Sequence, residues 1–177
     1  MAARLRALVL GFAVAASVAG CGIAAPSGAL VTPRPASPLA DSSLSPALAT
    51  ARGEIVRALG TVNLILDDPR VPFRAPEAPS LAATPRAVFQ AVLPDDPAHG
   101  FITVYELPTP DAAIAAATEQ LAYVNSGPGR VQFTPDTQFV VRRLGTAVIF
   151  HAFSRENAAD ERAADVVAAL GRVGLAP

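Results

Sequence analysis

Arg86-Ala-Val-Phe-Gln-Ala-Val-Leu-Pro-Asp-Asp-Pro-Ala-His-Gly-Phe-Ile-Thr-Val-Tyr-Glu-Leu107 is the segment on which the architecture turns. Its two ends, Arg86–Leu93 and Phe101–Leu107, are rich in valine, isoleucine, phenylalanine and tyrosine, side chains that suit a pleated surface. Between them Pro94-Asp-Asp-Pro-Ala-His-Gly100 consists of turn formers, so the segment predicts a β-hairpin. Phe89, Ala91 and Leu93 alternate with Val88 and Val92, and Ile102 and Val104 alternate with Phe101, Tyr105 and Leu107. Neither face is polar. An antiparallel sheet with one wet face alternates apolar and polar residues, so the second face of this sheet is expected to be covered as well.

Downstream, the pattern repeats. Thr109-Pro110-Asp111 opens a helix whose apolar stripe is Ile114, Ala117, Leu121 and Val124, and Gly127-Pro128-Gly129 closes it. Val131-Gln-Phe133 restarts extended structure, and Gln138–Arg143 pairs with Thr146–Phe153 across Leu144-Gly145 as a second hairpin. Residues Ser154 to Asp160 turn the chain into a last helix with Ala163, Val166, Val167, Leu170 and Val173 on its buried stripe.

Upstream, Ser45-Pro46 is an N-cap followed by a first-turn proline, and Leu48, Ala51, Ile55 and Leu59 form one stripe of a helix over 46–59 that Gly60 stops. Thr61–Leu66 reads equally as more helix or as a short strand. From Pro69 to Pro85 five prolines argue against regular structure, and Phe73 and Leu81 between them predict a strap packed across the domain. The element order is α-ββα-ββα, an α+β domain over 45–177. It is expected to be a two-layer sandwich, with four or five antiparallel strands and the two later helices on one face; the first helix and the strap are the covers left for the other.

The chain begins differently. Arg4 and Arg6 precede an apolar run from Ala7 to Ala19, and small residues lead into Cys21, the only cysteine. At about 1.5 Å per residue the run spans roughly 20 Å, short of the roughly 30 Å of a hydrocarbon core. Val18-Ala19-Gly20-Cys21 is similar to the lipobox of bacterial lipoproteins. The resemblance implies that residues 1–20 are a signal peptide, that Cys21 becomes the amino terminus and carries acyl chains such as palmitate, and that the protein is anchored on the extracytoplasmic face of the cell membrane. Two or more chains hold a protein stably, each buried methylene contributing about 0.8 kcal/mol. Residues 21–44, with Pro26, Pro33, Pro35 and Pro38 among Ala, Ser, Gly and Thr, then form a tether.

Composition excludes several functions. With Arg4 and Arg6 removed from the 14 basic residues, all arginine, 12 remain against 15 acidic ones. A mildly acidic chain with scattered arginines has no footprint for nucleic acid. With Cys21 lipidated no thiol remains for a disulfide, a cysteine-type zinc site or nucleophilic catalysis. There is no G-x-S-x-G, no P-loop and no complete G-x-G-x-x-G.

The chemical candidates are few. His151 shares a strand face with Ala147, Ile149 and Phe153, which predicts a hydrogen-bonded core or rim histidine. Asp67-Asp68 and Asp95-Asp96 sit in similar turns; only if the turns met would four carboxylates surround a cation. Arg142-Arg143 puts one arginine on each strand face, and an inward one needs a partner, for which Glu106 is the candidate. Tyr105, Tyr123, Phe101, Phe133, Phe139, Phe150 and Phe153 are either core or the lining of an apolar pocket. No catalytic residue, cofactor or metal ligand is nominated. The sequence points to a non-enzymatic, lipid-anchored envelope protein that binds an envelope protein partner or a small apolar ligand. A ligand carrier requires a cavity lined by the phenylalanines. A hydrolytic or metal-assisted enzyme instead requires His99 or His151 within hydrogen-bond reach of a carboxylate in an open cleft.

Overall fold

The structure, a computed structural model, describes residues 44–177. The signal segment, Cys21 and nearly all of the tether lie outside the described residues.

Five strands form one antiparallel sheet in the order β1-β2-β3-β5-β4: β1 Leu66–Asp67, β2 Arg86–Ala91, β3 Phe101–Glu106, β4 Gln138–Leu144 and β5 Ala147–Phe153. Both hairpins form. Phe89 pairs with Ile102 across the first, and Val141 with Phe150 across the second. Gly100, at the foot of β3, has a φ of +84° and holds its backbone against the carbonyl of Ala91, where a Cβ would clash. The first hairpin therefore closes on a glycine for a steric reason.

The long helices are α1 Pro46–Gly60, α3 Pro110–Asn125 and α5 Ala163–Leu170, with single-turn helices α2 Pro79–Ala82 and α4 Gly127–Arg130. The Ser45 and Thr109 side chains cap α1 and α3 as their positions predict. Asn63, at a φ of 56°, turns the chain out of α1. Thr61–Leu66 is neither more helix nor a strand along its length but a turn and an extended link, of which only the last residue, Leu66, enters β1.

The α+β class, the antiparallel sheet and the α-ββα-ββα order of the main elements are as the sequence predicts; the layering is not. The strap, read as without regular structure, holds the single turn α2, which Pro79 opens because a first-turn proline needs no N–H partner. α1 and α5 pack together on one face, burying Leu48, Ile55, Leu59, Val166 and Leu170 against Phe89, Ile102, Val104 and Ile149. α3 lies on the opposite face with the strap, and Leu81, Ala113, Ala117 and Val124 pack with Tyr105, Val148 and Phe150. The two later helices thus sit on opposite faces, and the sheet is the middle of three layers. The reason is in the strands: apolar residues occupy both parities of β3 and β5, and each face needs a helix to close it.

Three local readings are also corrected. α3 buries Ala113, Ala116, Ala117, Gln120 and Val124, while Ile114 and Leu121 are 39% and 37% exposed. The helix is rotated from its large apolar residues toward its alanines, because the small face permits close approach and Gln120 finds partners there. Val131-Gln-Phe133 forms turns, since Ser126 caps α4 and the Arg130 guanidinium grips the carbonyls of Thr137 and Pro135, closing the loop on itself. Arg142 and Arg143 do not pair with Glu106. They donate to the carbonyls of Val173, Gly174 and Ala176 and bind the C-terminal segment along β4, where Leu175 pairs with Arg143.

Candidate functional site

The strap is fastened by polar side chains facing the sheet. Gln120 of α3 accepts from the backbone N–H of Ala78 (2.7 Å) and donates to the carbonyl of Pro76 (2.9 Å), so one buried amide satisfies two strap groups. Between them Glu77, its side chain 3% exposed, pairs with Arg74 at 2.9 Å and Arg86 at 3.1 Å and accepts from the Tyr105 hydroxyl at 3.2 Å. Burial and the adjacent Glu77 carboxylate push the Tyr105 hydroxyl well above the ordinary range, so it stays a donor. The strap also carries Phe73, whose ring stacks on Phe101 with centroids 4.2 Å apart.

Phe101 stands where the sheet splits. The β3–β5 ladder runs from Glu106 opposite Ala147 to Thr103 opposite Phe150 and goes no further. In place of the next rung, Nδ1 of His151 lies 2.8 Å from the carbonyl oxygen of Phe101. A pocket of about 620 Å³ opens at this split. Phe73 and Pro76 of the strap, Phe101, Thr103, Phe150 and His151 of the sheet, Phe133 of the 131–137 loop, and Ala163 and Val166 of α5 all line it. The volume falls within the roughly 300–1,000 Å³ of small-molecule sites.

Carboxylates hold the loops around the pocket. Asp136 accepts from the hydroxyls of Thr134 (2.7 Å) and Ser154 (2.8 Å) and from the N–H of Glu156 (3.0 Å), which join the 131–137 loop to the segment after β5. Those bonds, the one from Glu156 foremost, hold its carboxyl down at about 2. Asp160 is likewise held at about 2, first by the Arg162 side chain, and it also accepts from the N–H of Asp95. Asp96 is buried between His99 Nδ1 (2.5 Å) and the N–H of Ala159 (3.0 Å), which ties the hairpin turn to the same segment. Gln90 completes the turn by donating to the carbonyls of Pro97 and His99.

Of the aromatic residues singled out from sequence, Phe101, Phe133, Phe150 and Phe153 line the pocket. Phe139 backs them, packed between Phe133 and Phe150 beneath Arg130. Tyr105 serves the strap, and the Tyr123 hydroxyl accepts from Gln132. The aspartate turns do not converge: Asp67 and Asp68 are exposed at the β1 edge, Asp95 and Asp96 engage residues 159 and 160, and among the described residues no group of three or more metal-ligating side chains forms. His99 does reach a carboxylate, Asp96, and lines the pocket, which meets the geometric requirement set for the hydrolytic reading; among the described residues no serine or threonine hydroxyl is hydrogen-bonded to it. Sequence reading missed Glu77, Gln120 and Phe73 as partners in one site, since nothing local marks where a proline-rich strap lands. No protein-family model, curated protein or solved structure matches the chain.

Gln120→Leu leaves the Ala78 N–H and the Pro76 carbonyl buried without a partner, so urea unfolding is expected to show a loss of about 1–3 kcal/mol, with faster hydrogen exchange at Ala78. Unchanged exchange there would mean that the strap is held by other contacts. Burial pushes the His151 imidazole below its ordinary 6.5, partly opposed by the Phe101 carbonyl. The unfolded chain therefore takes up the proton first, and stability falls as the pH is lowered through about 6.5 toward the folded value. The urea midpoint is expected to drop between about pH 7 and 5, and to drop less in His151→Phe; an equal drop in the variant assigns the effect to other groups.

Proposed function

We propose that the protein is a non-enzymatic, lipid-anchored component of the cell envelope whose domain holds a small, predominantly apolar, neutral ligand. The pocket carries the ligand reading. Its lining includes five phenylalanines from the strap, the sheet and the 131–137 loop, and no arginine, lysine, aspartate or glutamate among the described residues. A charged ligand would lose its hydration there without a counter-ion, whereas an apolar one exchanges water for aromatic contacts. Of the two kinds of partner considered from sequence, a concave apolar wall fits a small molecule better than a protein surface.

The anchor rests on residues alone: Arg4 and Arg6, the apolar run to Ala19, and Val18-Ala19-Gly20-Cys21. A proline-rich tether of up to roughly 60–70 Å, at about 3.1 Å per residue, holds the domain away from the lipid. The protein therefore presents its pocket on the extracytoplasmic face, and its mildly acidic charge turns it away from nucleic acid.

Both halves are testable. The neutral probe N-phenyl-1-naphthylamine is expected to bind saturably, one per domain, with enhanced fluorescence, and Ala152→Trp, which places an indole in the pocket, is expected to weaken it by about tenfold or more while cooperative unfolding persists. Absence of saturable binding to the wild type would sink the ligand reading. Intact mass of the membrane-extracted protein is expected to start at Cys21 with acyl chains attached, and Cys21→Ala to lose them; an unmodified soluble wild type removes the anchor.

A further inference from the structure

Two buried side-chain polar atoms among the described residues have no hydrogen-bond partner: Oγ1 of Thr103 and Nε2 of His151. Both residues line the pocket. Burying a polar atom without a partner is costly, and native interiors rarely leave one so. They stand on opposite faces of the sheet, Thr103 on the side of Tyr105 and His151 on the side of Ile149, on either side of the split where the pocket opens, and for His151 the cavity is where a partner has room.

The chemistry of that partner can be deduced from the other side of the imidazole. The carbonyl oxygen of Phe101 only accepts, so Nδ1 of His151, 2.8 Å away, carries the hydrogen. In the neutral ring Nε2 is then an acceptor. The neutral ring is also the one the site favours: His151 is 3% exposed, its cross-strand neighbour is Val140, and the only other titratable side chain lining the pocket, among the described residues, is His99, itself paired with Asp96. The hydroxyl of Thr103 either donates or accepts, so His151 is the residue that selects.

The geometry points to a ligand that carries a hydrogen-bond donor, a hydroxyl or N–H on an otherwise apolar frame, received by Nε2 of His151. A long-chain alcohol meets this description; an alkyl carboxylate brings only acceptors and a charge, and an ether brings no donor. The assignment rests on the ligand-binding reading above, and the test separates the two. In full-length protein at pH 8, displacement of N-phenyl-1-naphthylamine is measured with 1-undecanol, with 1-methoxydecane, which has the same number of heavy atoms and no donor, and with undecanoate.

The wild type is expected to prefer undecanol over the ether and over undecanoate by about tenfold, the scale of one hydrogen bond to an otherwise unsatisfied buried group. In His151→Phe the ratio of alcohol to ether affinity is expected to shrink to within about twofold, whatever change in affinity the two compounds share. On wild-type protein the imidazole ¹⁵N signal of His151 Nε2 is expected to move upfield with undecanol and to stay with the ether, a readout that does not require the variant to fold. Equal affinity for alcohol and ether, or an unmoved Nε2 signal, overturns the donor assignment and leaves the pocket. If neither compound nor the naphthylamine binds, the ligand reading itself falls.

Discussion

A buried irregular segment has to find partners for its own backbone, and in this domain one side chain does most of that for the strap. Without a helix or a strand ladder, the N–H of Ala78 and the carbonyl of Pro76 would stand unpaired against α3; Gln120 takes both. This explains why a polar residue sits fully buried on the apolar face of a helix, and why that face is built of alanines. Glu77, held between those two bonds, fixes the strap laterally to Arg86 and Tyr105 of the sheet. Partners that converge on three consecutive residues constrain the strap more than any of its apolar contacts, because hydrogen bonds are directional and burial is not.

The pocket is a consequence of that placement. The strap brings Phe73 over Phe101 at the end of the sheet where β3 and β5 have stopped pairing. In a closed ladder the carbonyl of Phe101 would bond a strand amide; here it is taken by an imidazole, which leaves room between the layers. The surrounding loops do not collapse into that room because each is held by a carboxylate, Asp96, Asp136 or Asp160, bonded to a distant segment. Apolar walls on a polar frame make a pre-formed cavity, the arrangement that lowers the ordering cost of binding.

The same carboxylates show how turn residues can mislead. Asp95-Asp96-Pro97 reads as an ordinary turn, and it is one. Yet Asp96 also anchors Ala159, 63 residues away, and Asp160 reciprocates through Asp95. Nothing in the local pattern separates an aspartate that caps its own turn from one that also ties two loops, because both are bonds to a backbone N–H and differ only in which segment arrives.

Residue patterns alone set the elements and their order. Both hairpins, the three long helices, the caps of α1 and α3 and the irregular strap have local causes: pleat preference, helical periodicity and proline's missing N–H. The same patterns required both sheet faces to be covered, since apolar residues at both parities of a strand have no wet side to face. Which helix covers which face, toward what side α3 is rotated, and where the strap, the C-terminal segment and the imidazole of His151 find their partners were settled only by the packing of the folded chain. Those outcomes depend on pairings between residues distant in the chain, and a side chain's spacing states which neighbours it has along an element but not which segment will pack across it.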